Sequence, residues 1–163
     1  MRDEPRRGPV TRRASVRGGR RETDDGVTPE PSSDRPTLLL VDDDAATLDG
    51  LSVWLANEGF SVVACSTFAQ ARARITSRPI AALITDIRLE EFNGLHLVQL
   101  ARSLQPHARL VVFSGFADPV LEAEAEMAGA TWLLKPIRLE QLGEHLAGLS
   151  PEPRSETKAG EPR

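Results

Sequence analysis

The sequence predicts an α/β protein, a doubly wound parallel (βα)5 sheet spanning residues 37–149. Three observations carry that expectation. Five short runs are apolar at nearly every position, as strands buried on both faces must be. Each is followed by a longer stretch whose apolar residues recur at helical spacing. Regular alternation of the two builds a sheet covered on both sides, with right-handed crossovers.

Thr37 to Val41 is the first strand and ends in Asp42-Asp43-Asp44. Ala45 to Glu58 carries Leu48, Leu51 and Leu55 on one helical face, and Gly59 supplies the stop. Phe60 to Ala64 is a second strand. Thr67 caps a helix to Thr76, with Phe68, Ala71 and Ile75 inward. Pro79 breaks the chain before the third buried strand, Ala81 to Asp86. Gly94 to Ser103 is a helix bearing Leu95, Val98 and Leu100-Ala101, and Arg109 to Phe113 is the fourth strand. Asp118-Pro119 joins a cap to a first-turn proline and opens a helix that ends near Gly129. Thr131 to Leu134 is the fifth strand. The last helix runs from Leu139 to Leu149, with Leu139, Leu142 and Leu146 facing inward.

The ends differ from this body. Residues 1–36 hold five prolines, four glycines and almost no large apolar side chain, so they are expected to be disordered. Residues 150–163 form a flexible polar tail. Residues 1–21 set eight Arg against Asp3 and Glu4, a net of +6, whereas residues 22–36 carry -4 and residues 37–149 carry -6. An acidic body is a poor nucleic-acid binder. The basic arm has the charge to touch nucleic acid or an acidic protein surface, but a solvated tail needs no partner and is the preferred reading. Cys65 has no second cysteine to pair with and reads as a small buried hydrophobe in a reducing compartment. No apolar run is long enough to cross a bilayer, and the arginine-rich start lacks the apolar stretch of a signal peptide, so a cytoplasmic protein is expected.

Parallel strands place all their carboxyl ends on one edge, where ligands of open α/β sheets bind. Four polar signals fall there: Asp42-Asp43-Asp44, Asp86, Ser114 and Lys135. Each alone is ordinary. One aspartate, Asp44, serves as a helix cap; Asp86 or Ser114-Gly115 alone would be a turn, and Lys135 a surface lysine. Together they are a site. Crowded carboxylates repel, and a hard divalent cation such as Mg2+ relieves the repulsion through oxygen ligands. A lysine and a hydroxyl beside them suit a phosphoryl group, and an aspartate can attack phosphorus once the incoming oxygens are neutralised.

With these residues assembled, the stretch Thr37–Leu149 resembles the receiver domain of two-component response regulators, the CheY-like family. The resemblance rests on Leu38-Leu-Leu-Val-Asp-Asp-Asp44, Leu83-Ile-Thr-Asp-Ile-Arg-Leu89, Asn93-Gly94, Val111-Val-Phe-Ser-Gly115, Ala128-Gly-Ala130 and Lys135-Pro136. It implies a flavodoxin-like strand order 2-1-3-4-5. It implies Asp86 as phosphoacceptor, Asp42, Asp43, Asp86 and the backbone carbonyl of Arg88 as Mg2+ ligands, and Lys135 and Ser114 as partners of the phosphoryl group. Ser114 and Trp132 would form the conformational switch, and the Lys135–Pro136 bond would be cis. A histidine kinase or histidine phosphotransfer protein would be the donor. A downstream protein would read the face of the last two helices and strand, where Glu122, Glu124 and Glu126 lie; a homodimer could use the same face.

Three departures from the family pattern stand out. Glu90 replaces a usual proline and Asn93 a usual aspartate, while Gly94 is kept. Trp132 stands where Tyr or Phe is commoner, and its size is expected to restrict an inward rotamer. Arg88 and Phe116 fill the two positions that tune dephosphorylation, and neither can activate water as a base. Fourteen residues follow Leu149, too few for a helix-turn-helix, so a stand-alone receiver with no output DNA-binding domain is expected. The resemblance implies Mg-dependent self-phosphorylation and slow self-dephosphorylation, not metabolic turnover. Two rivals remain: a receiver-like binding module that works without phosphorylation, and a small haloacid-dehalogenase-like phosphatase using Asp42-x-Asp44, which leaves Asp86 unexplained.

Overall fold

A strand apolar on both faces needs cover on both, and the computed structural model, which describes residues 35–149, shows how it is supplied. The elements run β1 (Thr37–Val41), α1 (Ala45–Asn57), β2 (Ser61–Cys65), α2 (Phe68–Ser77), β3 (Ala82–Asp86), β4 (Arg88–Leu89), β5 (Phe92–Asn93), α3 (Leu95–Leu104), β6 (Arg109–Ser114), α4 (Pro119–Met127), β7 (Thr131–Leu134) and α5 (Leu139–Leu146). Five of the strands form one parallel sheet in the order β2-β1-β3-β6-β7. That is the expected 2-1-3-4-5 order once the short antiparallel pair β4–β5 is set aside.

Successive strand residues point to opposite faces, and this divides the core in two. Leu39, Val41, Leu83, Leu110 and Val112 pack under α2, α3 and α4, against Ala71, Ile75, Leu97, Val98, Ala101 and Ala125. Leu38, Leu40, Ile84, Val111 and Phe113 pack under α1 and α5, against Leu48, Leu51, Leu55, Leu142 and Leu146. Each large side chain so buried contributes about 1.5–3 kcal/mol of transfer free energy.

The expected caps are present. Asp44 Oδ2 accepts from the Thr47 N–H at 3.0 Å and from its hydroxyl at 2.6 Å. Thr67 Oγ1 accepts from the Gln70 N–H at 3.3 Å. Asp118 Oδ1 accepts from Val120 and Leu121, with Pro119 in the first turn. Gly59 and Gly129, at φ +93° and +79°, turn the chain out of α1 and α4 through the left-handed region.

Some expectations need correction. Helix α5 stops at Leu146 rather than Leu149, because Ala147 leaves helical geometry and Gly148 turns left-handed at φ +82°. Leu139 is 39% exposed rather than inward; the stripe that meets the sheet begins one turn later, at Leu142. In α3 the expected Leu95, Val98 and Ala101 are buried and Leu97 joins them, while Leu100 is only partly buried. The β4–β5 hairpin was not expected at all. The tails assigned to 1–36 and 150–163 lie outside the described residues, apart from Arg35 and Pro36. Among the described residues no helix is long and apolar enough to cross a membrane.

One polar clamp closes the amino-terminal edge of the sheet. The Gln105 amide donates to the carbonyls of Ile75 at 2.7 Å and Arg78 at 2.9 Å, and accepts from the Ile80 N–H at 2.7 Å. It ties the end of α2 to the end of α3. Gln105→Ala leaves these backbone groups without their partners and should cost about 2 kcal/mol in urea unfolding. A midpoint unchanged from the wild type would show that the clamp carries no weight.

Candidate functional site

The carboxyl ends of β1, β3, β6 and β7 meet at one edge, and the polar residues there come from separate stretches of chain. Asp42, Asp43 and Asp86 each offer a carboxylate oxygen within 4.8 Å of the others. Asp42 and Asp86 are buried, and Asp43 is exposed. Lys135 reaches over from the end of β7. Its Nζ lies 2.8 Å from Asp42 Oδ2 and 3.1 Å from Asp86 Oδ1, so one ammonium bridges two carboxylates. Asp42 is held further by the Asp44 N–H, which donates to its Oδ1 at 2.9 Å.

Burial is the largest influence on Asp86 and pushes its carboxyl above the ordinary value. The Asp42 charge adds to the rise, while Lys135 and the Arg88 N–H oppose it. Burial pulls Lys135 down, but its bonds to Asp42 and Asp86 outweigh that, and its ammonium is held above the ordinary value. Desolvation raises Asp86, whereas the two neighbouring carboxylates together raise Lys135 against its own desolvation. The donor set of carboxylate oxygens suits a hard divalent cation. The thiol of Cys65, also buried, is pushed up by desolvation and remains a packing residue.

The chain after Asp86 is tightly built. The Ile87 N–H donates to the Phe113 carbonyl and the Gly94 N–H to the Ile87 carbonyl, both at 2.8 Å. A Cβ on Gly94 would overlap the Asp86 carbonyl oxygen, so only glycine allows this approach. Asn93 Oδ1 accepts from the Leu95 N–H at 2.9 Å; an amide keeps the acceptor that an aspartate would offer, which accounts for that departure. Glu90 sits at φ +52°, a backbone angle closed to proline, so the second departure follows from the turn adopted here. Thr85, which the sequence reading passed over, is buried and donates to the Asp86 carbonyl at 3.0 Å. Its signal was a hydroxyl in an otherwise apolar strand.

Ser114 lies at the end of β6, fully buried, and its hydroxyl donates to the Phe116 carbonyl at 2.6 Å. The Ser114 carbonyl in turn accepts from the Lys135 N–H at 2.7 Å, joining the two loops. The Lys135–Pro136 bond is cis. Trp132 packs against the layer beneath α4, with Nε1 buried and lacking an acceptor among the described residues, so the large indole is accommodated at least partly inward. Arg88 and Phe116 pair with each other: the guanidinium lies 4.1 Å from the ring centroid. With Asp86, Ile87, Gly115 and Lys135 they line an open pocket of about 270 Å³.

The raised Asp86 value has a consequence for stability. An acid raised by folding binds more protons folded than unfolded, so stability falls as pH rises through the window from the ordinary carboxylate value to the raised one. Above that window the ionised Asp86 is a standing cost. In metal-free buffer at neutral pH, Asp86→Asn should therefore be more stable than the wild type in chemical unfolding, since Lys135 keeps Asp42 as its partner. A variant less stable than the wild type would show that the Lys135–Asp86 pair outweighs desolvation.

Comparison with known proteins agrees with this geometry. The family model "Response regulator receiver domain" matches residues 38–147. The photosynthetic apparatus regulatory protein RegA of Rhodobacter capsulatus is 39% identical over 108 residues, covering 66% of this chain and 58% of RegA; the chain thus matches little more than half of that relative's length. A CheY-like receiver domain protein from Methanospirillum hungatei superimposes with a TM-score of 0.66 at 28% identity, covering 69% of this chain and 90% of that one. A response regulator protein from Burkholderia pseudomallei, whose crystal structure carries a phosphorylated aspartic acid, a calcium ion and citrate, gives a TM-score of 0.65 at 25% identity, covering 69% of this chain and 67% of that one. A family match running from the first strand into the last helix, on a sheet of the expected order, is decisive: this chain belongs to the response regulator receiver family.

Proposed function

We propose that this chain takes a phosphoryl group onto Asp86 from a phosphohistidine of a kinase or phosphotransfer protein, and passes the change on to a protein partner. The observation that carries this reading is the bridging of Asp42 and Asp86 by Lys135, within an acidic cluster at the sheet's carboxyl edge. The phosphorylated aspartic acid in the Burkholderia relative supports it.

In the transfer, an Asp86 oxygen attacks phosphorus, the P–O bond forms as the P–N bond breaks, and the departing imidazole nitrogen keeps the electron pair. Asp42, Asp43, Asp86 and the Arg88 carbonyl would hold Mg2+, which supplies positive charge against the phosphoryl oxygens. Lys135 moves its ammonium from the carboxylate to an incoming oxygen, so a charge already in place stabilises the transition state. Ser114 exchanges its bond to the Phe116 carbonyl for one to the phosphoryl group. That exchange shifts the loop after β6 and, through Trp132, the face formed by α4, β7 and α5. Glu122, Glu124 and Glu126 make part of that face acidic and would favour a basic partner surface. The chemistry is a single self-modification rather than metabolic turnover. A cytoplasmic setting accords with the free, buried Cys65.

A phosphatase acting through Asp42 draws no support from this geometry, because Asp42 is buried and already bonded at both oxygens. Incubation with acetyl phosphate and Mg2+, followed by intact mass, tests the proposal. One phosphoryl group should be added, none in Asp86→Asn, and addition should slow about a hundredfold in Lys135→Ala. Gain retained in Asp86→Asn but lost in Asp42→Asn would overturn it in favour of the phosphatase. No gain at any donor or metal concentration would favour a binding module.

The Arg88–Phe116 pair covers the approach to the same pocket without offering a base. The acyl phosphate should therefore be long-lived, and Phe116→Ala should shorten its lifetime severalfold by admitting water. A lifetime unchanged by replacing either residue would contradict that role.

A further inference from the structure

A stacked aromatic pair stands at the surface beside α2. Phe68, the first residue of that helix, and Phe92, on the β4–β5 hairpin, have ring centroids 4.6 Å apart and planes inclined by 17°. They wall an open groove of about 420 Å³, completed by Ala69, Arg72, Ala73 and Thr76 of α2. Phe92 is 47% exposed there. Arg72 is exposed and has no ion-pair partner among the described residues. No acid occurs between residues 66 and 85, and the hairpin's Glu90 and Glu91 line a neighbouring cavity beside Phe116 instead. An apolar groove with a cation on its edge fits an apolar side chain flanked by carboxylates.

Helix α4 presents that combination. Met127 and Val120 are 81% and 67% exposed, more than any other large apolar side chain among the described residues. Two helical turns apart, they share an outward stripe with the exposed Ala123, while Ala125 is buried on the opposite side. Glu124 and Glu126 border the stripe, and neither carboxylate has an ion-pair partner among the described residues. Arg102 shares a cavity with Glu124 but donates its Nη1 to the Ala128 carbonyl. No base occurs between residues 110 and 134. Methionine is unbranched and adaptable, and its thioether packs well against aromatic rings. Within one chain the two surfaces do not meet, because α3 packs against both α2 and α4 and stands between them.

We propose that a second copy of this chain covers the groove. Met127 of one copy packs against Phe68 and Phe92 of the next, with Glu124 and Glu126 facing Arg72. The two surfaces differ, so the contact is heterologous, and copies add head to tail into a ring or an open row. It occupies α4, part of the face proposed above for a downstream partner, so assembly and partner binding exclude each other. The assignment does not depend on phosphoryl chemistry at Asp86.

Sedimentation velocity of the full chain over a concentration series tests this. The mean sedimentation coefficient should rise with concentration at low salt and stop rising at about 1 M salt, where charges are screened within about 3 Å. Met127→Ser should weaken association roughly tenfold, as loss of a buried anchor does. Arg72→Glu alone, and Glu124→Arg with Glu126→Arg, should each abolish it by setting like charges together. An equimolar mixture of those two variants should associate again, since each copy then meets an opposite charge. A coefficient flat with concentration, association retained in Arg72→Glu, or a mixture that stays monomeric overturns the proposal. Association lost in Arg72→Glu but untouched by the α4 substitutions also overturns it, by naming another acidic surface as the occupant.

Discussion

Everything at the carboxyl edge depends on one ammonium set between two carboxylates. Asp42 and Asp86 end neighbouring strands, so the parallel register of β1 with β3 forces like charges together. Burial makes their repulsion costly, and Lys135 offsets it from a strand two places away in the sheet, across β6. Lys135 lowers the Asp86 value but does not overcome its desolvation, so the carboxyl stays raised. Three carboxylates beside a single ammonium form the acidic cluster that the proposed metal site would use.

The same strand ends also set what can move. Gly94 lets the α3 loop press on the Asp86 carbonyl, and Thr85 and Asn93 secure that side with their own bonds. The other side is held by bonds within and between its loops. Ser114 spends its hydroxyl on the Phe116 carbonyl within its own loop, a bond that another acceptor can replace. Trp132 beneath it keeps a buried N–H without a partner among the described residues. A tightly bonded side at Asp86 facing a buried indole N–H without a partner among the described residues is the asymmetry that the proposed switch would use.

Most of this was legible in the sequence because its signals were local and strong. Apolar runs such as Leu38-Leu-Leu40 located the strands, and Asp44, Thr67 and Asp118-Pro119 marked helix starts to within a residue. Grouping Asp42, Asp43, Asp86 and Lys135 needed only the rule that parallel strands share a carboxyl edge. What escaped was tertiary. The β4–β5 hairpin rests on Glu90 at a positive φ that no propensity announces. The Arg88–Phe116 contact forms only where the fold brings two loops together, and the three bonds of the Gln105 clamp go to backbone groups 25 to 30 residues away. Leu139 looked like core by periodicity, but the helix had not yet reached the sheet at its first residue.

The most direct measurement is chemical capture of the modified residue. Borohydride reduces an aspartyl phosphate to homoserine, which peptide mass spectrometry can place in the chain. After exposure to a phosphodonor and reduction, homoserine should appear at position 86. Its appearance at 42 or 43 instead, or a phosphate left on Ser114, would contradict the account of Asp86 as the acceptor.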